Sequence, residues 1–340
     1  MQIITIGVDI AKNVFQVHGE DATGGMNLSK RLGRARVERF FAQLAPAVVG
    51  MEACGSSHHW ARVLSGLGHE VRLMPAAYVK PYVKRNKTDA RDAAAICEAV
   101  RRPTMRFVAI KSVAQQCERA LQRARDLLVR QRTQLMNAIR AMLAEMGIVA
   151  AQGLKGFATL RAMIERGDTA IPELLLPSLA ALTRQWHQLD AEAAKLEHVI
   201  VERARADAGA RRLMTIPGVG PISAHAIIAA IGDGRQFASA RDFAAWVGLT
   251  PKQASSGEKR RSGSISRAGD GSLRRLLTLG AASRLRQVNG RPDKAGPWLS
   301  GILARRPMRV AVVAQAAKTA RIVWAVLTSG QEYRARPMAA

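Results

Sequence analysis

Four carboxylates stand where a chain does not usually place them without a reason. Asp9 ends an apolar, β-branched run (GVDI), and Glu52 ends a second one (AVVGMEACG). A carboxylate at the end of a strand that leads into a core edge is costly unless it holds something. Asp89 and Asp92, in KTDARDAAAI, are three residues apart, so a helix presents both on one face. Strand ends and a helix start are where an α/β sheet builds its site. Hard oxygen ligands suit Mg²⁺ or Mn²⁺, whereas thiolates and imidazoles would favour zinc. Two such ions neutralise the charge of a phosphodiester transition state and activate a water or hydroxyl for attack. Lys12, three residues after Asp9, and Lys87, beside the acid pair, are placed to contact that phosphate. Singly, the acids have duller explanations: Asp89 as a helix N-cap, Asp92 as an ion-pair partner of Arg91. Their joint placement in a strongly basic chain favours a metal site.

The elements that must position these acids are legible in outline. Ile3–Ile10, Val14–Gly19 and Met26–Leu32 read as consecutive strands, and Arg34–Leu44 has helical periodicity. Ala47–Ala53 is a short buried strand, His58–Leu67 a helix, and Glu70–Met74 another strand. Together they predict a mixed sheet with helices on its faces. From about Ser112 the pattern becomes long helix. Leu121, Leu128, Leu135 and Met142 lie on one three-four stripe, and Leu179, Leu182, Trp186, Leu189 and Leu196 on another. These heptads fit a coiled coil, within the chain or between subunits, or an ordinary antiparallel helical hairpin. The stretch Gly147–Gly167 and the turn around Pro172 and Pro177 connect them. The expected class is therefore α/β plus α. Residues 1–108 form the mixed-sheet domain, 109–206 the helical segment, 207–333 a mainly helical C-terminal domain, and 334–340 a tail.

Charge narrows the partners. The 340 residues include 52 Lys plus Arg against 26 Asp plus Glu, a formal charge of +26, which implies a polyanionic partner. No run of 18 or more apolar residues appears and the N-terminus lacks a basic leader, so a membrane is not expected as a partner. Aromatics at 4% argue against gripping single strands mainly by base stacking. Cys54, Cys97 and Cys117 form no CxxC pair, which fits a reducing cytoplasm.

From Arg211 onward 22 basic residues face 6 acidic ones, and this part supplies +16 of the total. Ile216–Gly220, followed by an apolar helix, resembles a helix-hairpin-helix element. Gly218 and Gly220 would let backbone N–H groups approach a phosphate, with Arg211 and Arg212 just upstream. Between Lys252 and Arg286, nine basic residues accompany two acidic ones. Lys259, Arg260, Arg261, Arg267, Arg274 and Arg275 are the candidates for backbone contacts. Ser255, Ser256, Ser262, Ser264 and Ser266 lie in the same stretch, by default a phosphate-contacting loop. His58 and His59 could line the acidic site or sit at the surface. His225, Trp246, Trp298 and Trp324 read as core residues.

GVDIAK, MEACG, KTDARDAAAI, IPGVGPISAHAIIAAIG, FAAWVGLTP and SSGEKRRSGSISRAGDGSLRRLL together resemble the DEDD transposases of bacterial insertion sequences, the bridge-RNA-guided serine recombinases. The resemblance covers essentially the whole chain. It implies an N-terminal domain like the RuvC Holliday-junction resolvase, with an RNase H-like fold and Asp9, Glu52, Asp89 and Asp92 as its four acids, holding two metal ions. It also implies a nucleophilic serine shortly after LTP and before a glycine, here Ser256, with Ser255 as the adjacent alternative. The family likeness further implies double-stranded donor and target DNA, a guide RNA and action at the bacterial nucleoid, while the heptads, if they pair between subunits, predict a homo-oligomer (dimer or tetramer) through the coiled coil. Two other readings compete. One is a metal-dependent nuclease or Holliday-junction resolvase without a covalent serine; the other is a non-enzymatic binding protein with structural acids. The C-terminal match favours the recombinase.

Overall fold

The computed structural model describes residues 3–84, 88–254, 262–288 and 292–334. The chain divides into two compact units, Met1–Gln116 and Cys117–Ala340.

In the first unit the β-branched run forms β1 (Thr5–Ile10). A tight turn leads into β2 (Val14–Glu20) and then β3 (Met26–Gly33). β1 and β2 pair antiparallel from Thr5↔Glu20 to Ile10↔Phe15, and β3 continues the meander with Phe15↔Leu32. The turn between β2 and β3 is held by Asp21, whose carboxylate accepts from the Thr23 hydroxyl (2.7 Å) and the Asn27 amide (2.6 Å). Those donors hold its pKa down at about 2. Next come the short α1 (Val37–Phe41), β4 (Val48–Glu52), α2 (Ser57–Gly66), β5 (Glu70–Met74), α3 (Ala76–Val79) and α4 (Asp89–Val100). α1 is shorter than the periodicity suggested: a 3₁₀ turn at Arg34–Arg36 precedes it, and Pro46 lies beyond it. β4 runs parallel to β1 (Thr5↔Val48, Val8↔Met51) and β5 parallel to β4, giving a five-stranded mixed sheet of order β3-β2-β1-β4-β5. This arrangement is compatible with the RNase H-like class.

Period-two alternation gives each sheet face its own partner. Ile6, Val8, Phe15, Val17, Val49 and Met51 are buried in one cluster with Phe41, Trp60 and Leu64 of α1 and α2. Each such side chain contributes about 1.5–3 kcal/mol of burial. The other face receives α4, and two glycines decide how closely. A Cβ on Gly7 would meet the Ala93 carbonyl oxygen at 2.1 Å and the Cys97 nitrogen at 2.5 Å, while one on Gly50 would meet Val100 at 2.8 Å. α4 therefore lies with its backbone almost on β1. Gly7→Ala must push that helix away, and because the obstacle is backbone it cannot yield as a side chain would. We expect a loss of about 3 kcal/mol, seen as a lower urea midpoint. An unchanged midpoint would contradict this packing.

In the second unit the long helices are α5 (Val113–Glu145) and α7 (Leu176–Ala206). Ion pairs Glu118–Arg203, Arg125–Glu197 and Arg132–Asp190 descend one helix as they climb the other, so the two run antiparallel. Near α5's C-terminal end, Ile139 and Leu143 share a cluster with Leu179 and Trp186 of α7 and with Phe157 and Leu160 of α6 (Gly153–Glu165). α6 thus occupies part of the stretch Gly147–Gly167 that the sequence presents only as a connection. α8 (Ala208–Met214), α9 (Pro221–Ile231) and α10 (Ala240–Trp246) follow, then a hairpin of β6 (Pro251–Gln253) and β7 (Ser262–Ile265), and α11 (Gly271–Val288), α12 (Pro292–Leu303) and α13 (Met308–Ser329).

His225, expected as core, is buried in α9. The Gln122 amide donates to its Nδ1 (2.7 Å), and its Nε2 donates to Glu118 (2.8 Å). Burial alone would raise the Glu118 pKa, but Arg203 and His225 outweigh it and hold the carboxyl below its usual value. α13 is long and apolar enough, by length and composition alone, to cross a membrane, although it contains no unbroken run of 18 apolar residues. Lys318 and Arg321 interrupt it. Its Ala316, Ala320, Val323 and Leu327 are buried in the core of the second unit. Trp246 and Trp324 pack against that core as expected. Trp298 does not: it is 37% exposed, with Lys318 Nζ 4.0 Å from its ring centre. An indole serves as well over a cation as in a core.

Candidate metal centre and basic elements

α4 starts cleanly because Thr88, in extended conformation, caps it; its hydroxyl accepts from the Arg91 N–H at 3.4 Å. Thr88 is thus the N-cap, and Asp89 is the first helical residue. Asp89 and Asp92 sit in the first turn, where the helix dipole favours negative charge. One turn further along, Ala93 and Cys97 ride on Gly7 of β1. That close approach carries the start of α4 to Asp9, two residues beyond Gly7. The outcome is a group in which ligand oxygens of Asp9, Asp89 and Asp92 all lie within 4.8 Å of one another. Asp9 and Asp92 are half-buried and Asp89 is exposed, so the group opens to solvent on one side.

Glu52 closes β4, the parallel neighbour of β1, and stands beside this group rather than within its 4.8 Å spacing. The two strand-end acids still share a field. The Cys54 thiol is pushed up first by burial, then by the negative charges of Glu52 and Asp9. Three hard oxygen donors with a fourth carboxylate alongside fit a divalent cation. Sequence reasoning found the acids but missed Gly7 and Gly50, which bring them together.

A second group, His18, Glu20 and Cys97, also places ligand atoms within 4.8 Å of one another. Its members are committed elsewhere. Glu20 accepts from His18 (3.2 Å) and pairs with Arg101, and the Cys97 thiol donates to the Thr5 carbonyl at 3.6 Å. Burial and the Glu20 charge push that thiol up to about 12, which disfavours a thiolate ligand. His58 accepts from the Lys111 N–H (3.2 Å), and His59 lies exposed with its ring edge-on to Trp60.

The basic candidates separate into different roles. Lys12 is exposed in the β1–β2 turn; Lys87 lies outside the described residues. Arg211 donates to the Arg205 and Ala206 carbonyls (2.9 and 3.0 Å), closing the end of α7, and Arg212 is half-buried. Gly218 has φ +89°, and a Cβ there would meet the Gly280 carbonyl oxygen at 2.7 Å, so close packing on α11 accounts for this glycine. Gly220 N-caps α9 with open space around it. Arg267 is exposed at φ +55°. Arg274 turns inward, donating to the Val247 and Ala268 carbonyls (2.9 and 2.7 Å), and Arg275 pairs with Asp126 at 2.7 Å. Ser255, Ser256, Lys259, Arg260 and Arg261 lie outside the described residues; the strands flanking them, β6 and β7, pair antiparallel.

Comparison with known proteins agrees with this layout. Residues 6–148 match the family model of the IS110-type DEDD transposase, and residues 210–295 that of the transposase IS116/IS110/IS902 family. A Sinorhizobium fredii protein named as a transposase, y4pF/y4sB, is 47% identical over 98% of this chain and 86% of its own. A family 20 transposase of Pseudomonas aeruginosa is 46% identical over 98% of this chain and 99% of its own. The transposase for insertion sequence element IS1111A of Coxiella burnetii is 40% identical over 97% of this chain and 91% of its own. With relatives of this identity aligned along nearly its whole length, the chain belongs to the IS110 family of DEDD transposases, enzymes that recombine DNA.

Proposed function

We propose that the chain cuts and rejoins the ends of its insertion sequence with Asp9, Glu52, Asp89 and Asp92 as the ligands of two Mg²⁺ ions and Ser256 as the nucleophile. The convergence of Asp9, Asp89 and Asp92 carries this reading. Divalent ions bound there supply charge neutralisation at the scissile phosphate and a more acidic hydroxyl nearby. The protein's part is to hold the carboxylates rigid. β1 fixes Asp9, and α4, seated on Gly7, fixes Asp89 and Asp92.

In this reading the Ser256 oxygen forms a bond to the phosphate, the sugar oxygen departs with its strand, and a phosphoserine retains the bond energy for rejoining. The N-terminal unit is RNase H-like, and α8, the Ile216–Gly220 turn and α9 act as a helix-hairpin-helix contact to backbone phosphate, with Arg211 and Arg212 at its edge. Lys12, Lys87, Lys259, Arg260, Arg261 and Arg267 supply further phosphate contacts, while Arg274 and Arg275 hold the internal bonds described above. A structured guide RNA selects the sites, and subunits assemble through the long helices in the bacterial cytoplasm, at the nucleoid. The domains follow the boundaries 1–108, 109–206 and 207–333, with the tail at 334–340.

The test is strand cleavage of labelled duplex carrying the insertion-sequence ends, with and without EDTA. We expect cleavage to stop when divalent ions are removed and to return with excess Mg²⁺ or Mn²⁺. Cleavage at full rate in EDTA would refute the metal reading.

A further inference from the structure

The second unit contains a groove of about 650 Å³, lined in part by α5, α9 and α11, whose chemistry the proposed active site does not use. Arginines line it: Arg119, Arg123 and Arg130 from α5 and Arg275 from α11. Its two acids are already engaged. Asp270 accepts from Arg119 (2.8 Å) and from the Ser272 and Leu273 N–H groups that open α11 (2.9 and 3.1 Å). Asp126 accepts from Arg275 (2.7 Å) and from the Ser272 hydroxyl (2.6 Å). These bonds fix the walls and offset both negative charges.

Arg123 and Arg130 take no part in them and are exposed. Seven residues separate the two, so they share a helix face about 10 Å apart along the axis. A duplex strand carries a phosphate every ~3.4 Å of axis, so one strand can meet both guanidinium groups. None of the groove's lining residues is aromatic, which suits a phosphate backbone rather than stacked bases. Guanidinium is also the side chain best matched to phosphate oxygens, through paired N–H donors.

We propose that this groove is a phosphodiester-binding site, in which Arg123 and Arg130 neutralise two phosphates of a nucleic-acid strand. It rests on the reading of the chain as one that works on nucleic acid. The test uses the full-length protein, wild type and Arg123→Gln/Arg130→Gln, with anisotropy titrations of a labelled duplex DNA and a labelled hairpin RNA over a range of KCl. Losing two contacts makes the plot of log K against log salt shallower by about 1.8 for duplex. The double Arg→Lys variant keeps most of the wild-type slope, because the charge remains. Both residues are exposed, so the thermal midpoint stays unchanged in either variant. A change seen only with DNA assigns the groove to donor or target duplex; one seen only with RNA assigns it to a guide. Wild-type slopes in the Gln variant on both probes would overturn the groove and leave the wider reading intact. If the mass of the assembly in solution, read by light scattering, changed in the Gln variant while the slopes held, the groove would belong to a protein interface and the proposal would fall. Failure of the wild type to bind either probe would overturn both.

Discussion

Asp9→Asn should reduce metal-dependent strand cleavage by about 10³-fold or more while leaving DNA retention unchanged. The substitution preserves shape and removes one charge, so the β1 pairing, including Asp9↔Gln16, has no reason to change. What it removes is the negative oxygen shared with Asp89 and Asp92 in the 4.8 Å group. A bound metal contributes several kcal/mol of transition-state charge stabilisation, and each 1.36 kcal/mol is tenfold in rate. Retention of DNA is expected to depend on the basic residues, many of them in the C-terminal part, which supplies +16 of the +26 charge. Gel-based cleavage and mobility-shift assays on one preparation read the two effects separately. Cleavage at the wild-type rate would remove Asp9 from the mechanism. A parallel loss of binding would mean that the substitution had damaged more than a ligand.

Ser256→Ala should abolish the covalent protein–DNA adduct and with it strand exchange. In serine enzymes, removing the nucleophile costs on the order of 10⁶ in turnover. The hydroxyl is a weak nucleophile by itself, so its role requires activation by a base or metal. Ser255→Ala is the matched control, since it removes a neighbouring hydroxyl from the same segment and should leave the adduct intact. Denaturing gels of enzyme incubated with labelled duplex show the adduct directly. If Ser256→Ala still forms it at full level, another residue is the nucleophile; if Ser255→Ala alone loses it, the register from Pro251 is off by one. Absence of any adduct from the wild type, with cleavage intact, would favour a resolvase-like hydrolysis.

The N-terminal sheet was largely legible because its strands announce themselves through local pattern. Alternation in Phe15 and Val17 and the β-branched run in β1 need no tertiary knowledge. The acids were legible for a related reason: a carboxylate at the end of an apolar strand conflicts with its surroundings, and the conflict points to function. The distances among them were not legible. They follow from Gly7 and Gly50, whose meaning lies in how closely another backbone approaches, and a sequence does not display that approach. Glu52 illustrates the same gap, since its motif weight equals that of Asp9 although it sits beside the closest cluster.

In the C-terminal part, composition marked a basic surface but could not sort its arginines. Arg274 serves backbone carbonyls, Arg211 closes a helix end, and Arg123 and Arg130 stay exposed on a helix read only for its apolar stripe. Helix α6 is hidden in the sequence because the stretch that holds it is bounded by Gly147 and Gly167 and reads as a loop, although Phe157, Leu160 and Ile164 carry the helical spacing. Trp298 was misplaced because residue type does not say which way an amphipathic ring faces.

The most direct test of the metal centre is anomalous diffraction from crystals grown with Mn²⁺, recorded with and without Asp9→Asn. Density between Asp9 and the start of α4, with carboxylate oxygens of Asp9, Asp89 and Asp92 about 2.1 Å from an ion, and its weakening in the variant, is the predicted result. Manganese bound instead at His18, Glu20 and Cys97, or no ordered ion near Asp9 at saturating concentration, would contradict it.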